Sequence, residues 1–128
     1  MSMKILVAED EPMLLKTIEL KLRKEGYEVV STSDGREAVA KIDETDPDLV
    51  ITDIMMPYVS GLEIVSIIRK RTHKKVPIIV LTAMEQEKVV MEAFELGADD
   101  YITKPFSLNE LAIRIKKLVA QVIRNNPA

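Results

Sequence analysis

The sequence predicts an α/β fold: an open, doubly wound parallel sheet with helices on both faces. Three observations point there. Short apolar runs alternate with amphipathic stretches of helical length along the whole chain, the pattern of repeated βαβ units. The runs at 4–8, 49–53 and 77–82 are almost wholly apolar, as expected of central strands covered on both sides. Four runs also end in polar residues: Glu9-Asp10, Asp53, Thr82 and Lys104-Pro105. In such sheets the carboxyl ends of the strands are where ligands bind.

The elements follow in order. Lys4-Ile5-Leu6-Val7-Ala8 is the first strand, and the first helix runs over 12–25. Pro12 suits the first turn of that helix, where its missing N–H would be unpaired anyway. Leu15, Ile18 and Leu22 recur at three- and four-residue spacing to face the sheet, and Gly26 ends the helix. A strand at 28–31 and a helix at 35–45 come next, then the strand Leu49-Val50-Ile51-Thr52-Asp53 and a helix at 61–72. Ile78-Ile79-Val80-Leu81 lies in a strand over 77–82, followed by a helix at 85–96 and a strand at 100–103. The last helix, 107–124, opens at Ser107 with Glu110 three residues on, a capping-box spacing. Its core face is Leu111, Ile115, Leu118 and Val122, and Asn125-Asn126-Pro127 ends it. No repeat, linker or second core interrupts residues 3–124, which read as one domain.

At 128 residues the chain is long enough to bury a core, and 47% apolar with 30% charged residues is a globular balance. No apolar stretch nears the roughly 20 residues of a membrane span, and no secretory leader is visible. The lack of cysteine excludes disulfides and thiolate metal sites and fits a cytoplasmic protein. A net charge of −3 argues against direct nucleic-acid binding by this domain.

Glu9, Asp10 and Asp53 end two strands expected to be neighbours. Carboxylates gathered in one cleft repel each other unless a cation intervenes. Oxygen ligands, no cysteine and a single remote histidine favour a hard ion, Mg²⁺ first, with backbone carbonyls near Asp53 completing the shell. An aspartate can attack phosphorus to give an acyl phosphate, a transfer that needs positioning and charge neutralisation above all. Lys104 offers a fixed positive charge, Thr82 a hydroxyl, and Ala83 room for a phosphodonor. Each residue alone has a plainer reading: Glu9-Asp10 as a turn, Thr82 as a helix cap, Lys104 as a solvated loop residue. Their convergence on one sheet edge favours the chemical one.

With Lys104-Pro105-Phe106 and Leu96-Gly97-Ala98-Asp99-Asp100-Tyr101, these residues resemble the receiver domains of response regulators, CheY-like proteins. ILVAEDE, LVITDIMMP, IIVLTA and GADDYITKPF occur in order over roughly residues 3–123. The resemblance implies a flavodoxin-like sheet of five parallel strands in the order 2-1-3-4-5, with five helices. It implies Asp53 as phosphoacceptor from a phosphohistidine of a sensor histidine kinase. Asp10, Asp53 and the Met55 carbonyl would hold Mg²⁺ directly, with Glu9 acting through water. Thr82 and Lys104 would hold the phosphoryl oxygens, Thr82 and Tyr101 would switch, and Lys104-Pro105 would be cis. The output would be a changed face of the fourth helix, fifth strand and fifth helix.

The last third is most similar to receivers of winged-helix DNA-binding regulators, which implies transcription as the output and homodimerisation through that face. Asp99, Asp100, Glu110, Arg114 and Lys117 could supply its ion pairs, although Val89-Val90 stand where a basic residue is usual. Two further departures are Glu9 in place of the frequent Asp, and Ser60 before Gly61 where Asp is frequent. Met55 and Met84, two residues beyond Asp53 and Thr82, would hinder or fail to orient an attacking water, so the phosphate should be long-lived. A phosphohydrolase of the haloacid-dehalogenase type would need a second acid at Met55, and a receiver-like module that binds partners without phosphorylation would not need the full residue set. GxxxxGK[ST] and GxGxxG are absent. The basic cluster Arg69-Lys70-Arg71 with Lys74-Lys75 reads as helix-end cations and solvated loop, His73 as a surface residue, and Met91 and Phe94 as helix packing.

Overall fold

The computed structural model describes residues 3–71, 75–83 and 87–125. Among them the strands are β1 (Lys4–Ala8), β2 (Glu28–Thr32), β3 (Leu49–Asp53), β4 (Ile78–Ala83) and β5 (Asp100–Lys104). The helices are α1 (Pro12–Lys24), α2 (Gly35–Thr45), α3 (Gly61–Arg71), α4 (Glu87–Leu96) and α5 (Leu108–Asn125), so strand and helix alternate throughout. All strand pairs are parallel, in the order β2-β1-β3-β4-β5. This is the flavodoxin-like arrangement that the family resemblance implied. The expected third-helix end at 72, the fourth-helix start at 85, His73, Lys74, Met84 and the terminator Asn126-Pro127 lie outside the described residues.

Side chains of a strand alternate between faces, and each face has its own core. Ile5, Val7, Ile51, Ile79 and Leu81 pack against Ile18 and Leu22 of α1 and Leu111, Ile115 and Leu118 of α5. Leu6, Ala8, Val50, Ile78 and Val80 pack against Ile42 of α2, Ile64 and Ile68 of α3 and Ala93 of α4. β1, β3 and β4 are central and buried on both faces, which is why their runs lack polar alternation. Val122, expected on the core face of α5, is only half-buried.

Helix ends follow the local signals. Pro12 opens α1, and Gly26 takes a left-handed turn after it, φ 97°. The Tyr27 N–H then reaches back to the Leu22 carbonyl at 3.0 Å. The Ser107 hydroxyl accepts the Glu110 N–H at 3.0 Å, and Asp34 caps α2 through the Glu37 N–H at 2.8 Å. Ser60 caps α3 by accepting the Glu63 N–H at 3.2 Å, so serine keeps the capping function that an aspartate there would have.

Arg69 departs from its reading as a solvated helix-end cation. Its guanidinium donates to the Gly97 carbonyl at 3.0 and 2.8 Å, to the Val76 carbonyl at 2.7 Å and to Asp99 Oδ2 at 2.9 Å. The same Asp99 oxygen accepts the Ile78 N–H at 2.8 Å. One arginine thus ties the end of α3 to the start of β4 and to the turn before β5. Asp99, expected among dimer-face charges, is engaged inside the chain because a partly buried carboxylate is most stable beside fixed donors. Arg71, by contrast, pairs with Asp43 at 2.8 Å on the exposed surface.

Arg69→Ala should lower unfolding free energy by about 2 kcal/mol, since two carbonyls and a half-buried carboxylate lose their donor. Arg71→Ala should cost about 0.5 kcal/mol or less. Urea denaturation of both variants checks the contrast; equal losses would contradict the clasp.

Candidate acidic site at the carboxyl edge of the sheet

Parallel register brings the polar strand ends together. Ala8 stands opposite Thr52, Asp53 opposite Leu81, and Ala83 opposite Lys104, so β1, β3, β4 and β5 all terminate at one edge. Glu9 follows β1 directly, its N–H donating to the Thr32 carbonyl at 3.1 Å, and its side chain is fully buried. Asp53 is the last residue of β3 and 7% exposed, while Asp10 beside it is exposed. One carboxylate oxygen from each of the three acids lies within 4.8 Å of the others.

Lys104, at the end of β5, reaches into this cluster. Its ammonium donates to Asp53 Oδ2 at 2.8 Å and lies 2.9 Å from Glu9 Oε1. Oε1 is buried, and this close ion pair with Lys104 is the one polar contact seen for it among the described residues. The other oxygen, Oε2, accepts the Glu11 N–H at 3.0 Å. Burial pushes the Glu9 carboxyl up to about 7, with the Asp53 charge adding to the rise; Lys104 and the Glu11 N–H pull the other way. Burial by itself would lower the Lys104 ammonium, but the bonds and charges of Asp53 and Glu9 outweigh it and hold it above its usual range.

Three carboxyl groups therefore cluster around a single ammonium, which pairs with Glu9 and Asp53 and has no contact to Asp10 among the described residues. The donor set is all oxygen. These residues fit a hard divalent ion better than a soft one.

Two glycines let this edge close up, and sequence reasoning gave neither a role. A Cβ on Gly61 would stand 2.1 Å from the Asp53 carbonyl oxygen, and the Gly61 N–H donates to the Ile54 carbonyl at 2.8 Å. A Cβ on Gly35 would stand 1.9 Å from the Val59 carbonyl oxygen. The signal was available: glycine in a helix's first turn weakens the helix and so needs a packing reason.

Thr82 is buried at the end of β4, its hydroxyl donating to the Ala83 carbonyl at 3.2 Å. Tyr101 points outward from β5, in edge-to-face contact with Phe94 at 5.7 Å between ring centroids. Phe94 is 39% and Met91 61% exposed, so neither belongs to the helix packing expected of them. They instead make, with Tyr101, an outward apolar surface of α4 and β5. Among the other charges expected there, Asp100 pairs with Arg114 at 2.8 Å and Arg114 with Glu110 at 3.3 Å, while Lys117 is exposed. Met55 is 66% exposed beside Asp53, and its N–H lies 3.4 Å from Asp53 Oδ1. The Lys104-Pro105 peptide is cis, as expected.

Residues 5–116 match the family described as the response regulator receiver domain. This chain belongs to that family. Solved relatives agree in structure. The receiver domain of the Francisella response regulator 1452 is 34% identical, with a TM-score of 0.86 over 98% of this chain and 100% of that one. Chemotaxis response regulator CheY4 of Vibrio cholerae is 30% identical, with a TM-score of 0.86 over 91% of this chain and 98% of that one. NtrX of Brucella abortus is 27% identical, with a TM-score of 0.90; the match covers 98% of this chain but 28% of NtrX. The chain is thus a two-component receiver, a class of domain phosphorylated by sensor histidine kinases and used as a switch. Among the described residues, no helix of this receiver is long and apolar enough to cross a membrane.

Gly61→Ala should destabilise the receiver by about 2 kcal/mol, because the added methyl meets backbone and not a side chain that can yield. Chemical denaturation measures it; a loss under about 0.5 kcal/mol would mean that α3 stands off more than it does here.

Proposed function

We propose that residues 3–124 form one phosphoacceptor unit in which Asp53 receives a phosphoryl group from a sensor kinase's phosphohistidine. The observation that carries this reading is Asp53 itself, a buried carboxylate held by Lys104 between two further acids at the carboxyl edge of the sheet. Asp10, Asp53 and the Met55 carbonyl would hold Mg²⁺, with Glu9 acting through water. The ion would neutralise negative charge on the carboxylates and the phosphoryl oxygens during transfer.

The chain's own residues account for the rest. Lys104 keeps one Asp53 oxygen fixed and offers its charge to the phosphoryl group once the carboxylate has become an acyl phosphate. Ala83 leaves space beside Thr82 for the donor. The Thr82 hydroxyl bonds a neighbouring carbonyl here and is free to trade that bond for a phosphoryl oxygen. Movement of Thr82 would vacate space under β4 and β5 that Tyr101 can enter, breaking its contact with Phe94 and altering the apolar surface of α4 and β5. That two-state surface is the proposed output.

The resemblance of the last third to receivers of winged-helix regulators supports transcription control through a separate output domain, in the cytoplasm. Homodimerisation through the α4–β5–α5 face is part of the same proposal. Its apolar part, Met91, Phe94 and Tyr101, has more to offer than its charges, since Asp100, Arg114 and Glu110 already pair within the chain.

MgCl₂ should raise the melting temperature, and Asp10→Asn should weaken that effect about tenfold or more in apparent affinity. Acetyl phosphate with Mg²⁺ should add one acid-labile phosphate, located on Asp53 by mass spectrometry and missing from Asp53→Asn. Continuous turnover would indicate a phosphohydrolase, and no phosphate a module that only binds partners. With methionine at 55 and 84, two residues beyond Asp53 and Thr82 in the sequence, the phosphate should persist well beyond seconds in purified protein; decay within seconds would refute that expectation.

A further inference from the structure

The loop between β3 and α3 carries a strained residue beside the acidic site. Tyr58 has φ 70°, a left-handed conformation that side chains other than glycine, asparagine and aspartate rarely adopt. Its neighbours close a three-residue turn around it, the Val59 N–H donating to the Pro57 carbonyl at 2.9 Å. A γ-turn with positive φ at its centre is the rarer and more strained form. Such backbone persists where the surroundings over-determine it.

Three contacts do so here. The Gly35 N–H donates to the same Pro57 carbonyl at 3.2 Å, seating the turn on the first residue of α2. Val59 and Met56 pack against the core on either side of the turn. The third contact is the guanidinium of Arg36, whose central carbon lies 3.6 Å from the centroid of the Tyr58 ring. The ring is 69% exposed, so little else covers it, and this cation–π contact is the hold that α2 has on the Tyr58 side chain.

We propose that Arg36 is a positioning residue of the acidic site: by stacking on Tyr58 it fixes the β3–α3 loop in the conformation that presents the Met55 backbone to Asp53. Met55 is three residues before Tyr58 in the same short loop, whose neck is closed by the Gly61 N–H to Ile54 carbonyl bond. A loop held at its neck and its tip has little freedom left at Met55. A receiver with glycine at this position would adopt the turn without help; this one has tyrosine and needs the clasp.

The inference rests on the proposed Mg²⁺ site, and its test separates the two. Calorimetric titration of MgCl₂ into purified Arg36→Ala should show affinity about two- to fivefold weaker than wild type, the range of an exposed cation–π contact. The sign is diagnostic. Loss of a surface cation near carboxylates would by itself strengthen Mg²⁺ binding, so weakening reports positioning and not charge. Arg36→Lys, which keeps a cation over the ring, should recover most of the affinity. Tyr58→Gly removes the need for the clasp, so adding Arg36→Ala to it should cause no further weakening. Unchanged or tighter binding by Arg36→Ala, or an equal loss in the Tyr58→Gly background, overturns the positioning role while leaving the site intact. Wild type that binds no Mg²⁺ overturns both.

Discussion

A half-buried ammonium among carboxylates is the constraint on which this receiver turns. Lys104 stands 2.8 Å from Asp53 and 2.9 Å from Glu9, and Asp10 completes an acidic group that one positive charge does not balance. Glu9 bears most of the imbalance: it is fully buried, one of its oxygens has only the Lys104 ammonium beside it, and its carboxyl is pushed up to about 7, chiefly by burial. Such a cluster costs folding free energy in isolation. It is tolerable because the sheet around it is apolar and well packed, and because further positive charge can enter from the open side, where Asp10 is exposed.

The rest of the architecture serves to hold that edge. Parallel pairing aligns four strand ends, and the two cores on opposite faces keep the strands in register. Gly61 brings α3 against the Asp53 carbonyl, and Gly35 brings α2 against the loop that follows it. The loop carrying Met55 is therefore bounded on two sides by backbone, which yields less than side chains do. The Met55 side chain is exposed, and its backbone N–H lies 3.4 Å from Asp53 Oδ1.

At the other end of the sheet, Arg69 joins α3, β4 and the turn before β5 through four hydrogen bonds. The domain thus has an amino edge tied through Arg69 and a carboxyl edge where the Thr82 hydroxyl bonds a neighbouring carbonyl and Tyr101 rests on Phe94 at the surface.

Strands, helices and the acidic cluster were legible in the chain because each depends on local pattern. Apolar runs such as Ile78-Ile79-Val80-Leu81 mark buried parallel strands, Pro12 and Ser107 mark helix starts, and polar residues following four strands mark the ligand edge. Strand order came from resemblance to a family and not from the residues' own spacing. Only the tertiary structure decided which partner each charged or aromatic side chain takes. Arg69 and Arg71 look alike in sequence, yet one is a structural clasp and the other a surface pair. Asp99 and Asp100 are adjacent, yet they face Arg69 and Arg114 respectively. Phe94 fits a helix core by composition but lies outward on Tyr101. Local pattern fixes which way a backbone segment folds, whereas ion pairs, ring contacts and the tight approaches at Gly35 and Gly61 depend on atoms far apart in the chain that meet only after the sheet has closed.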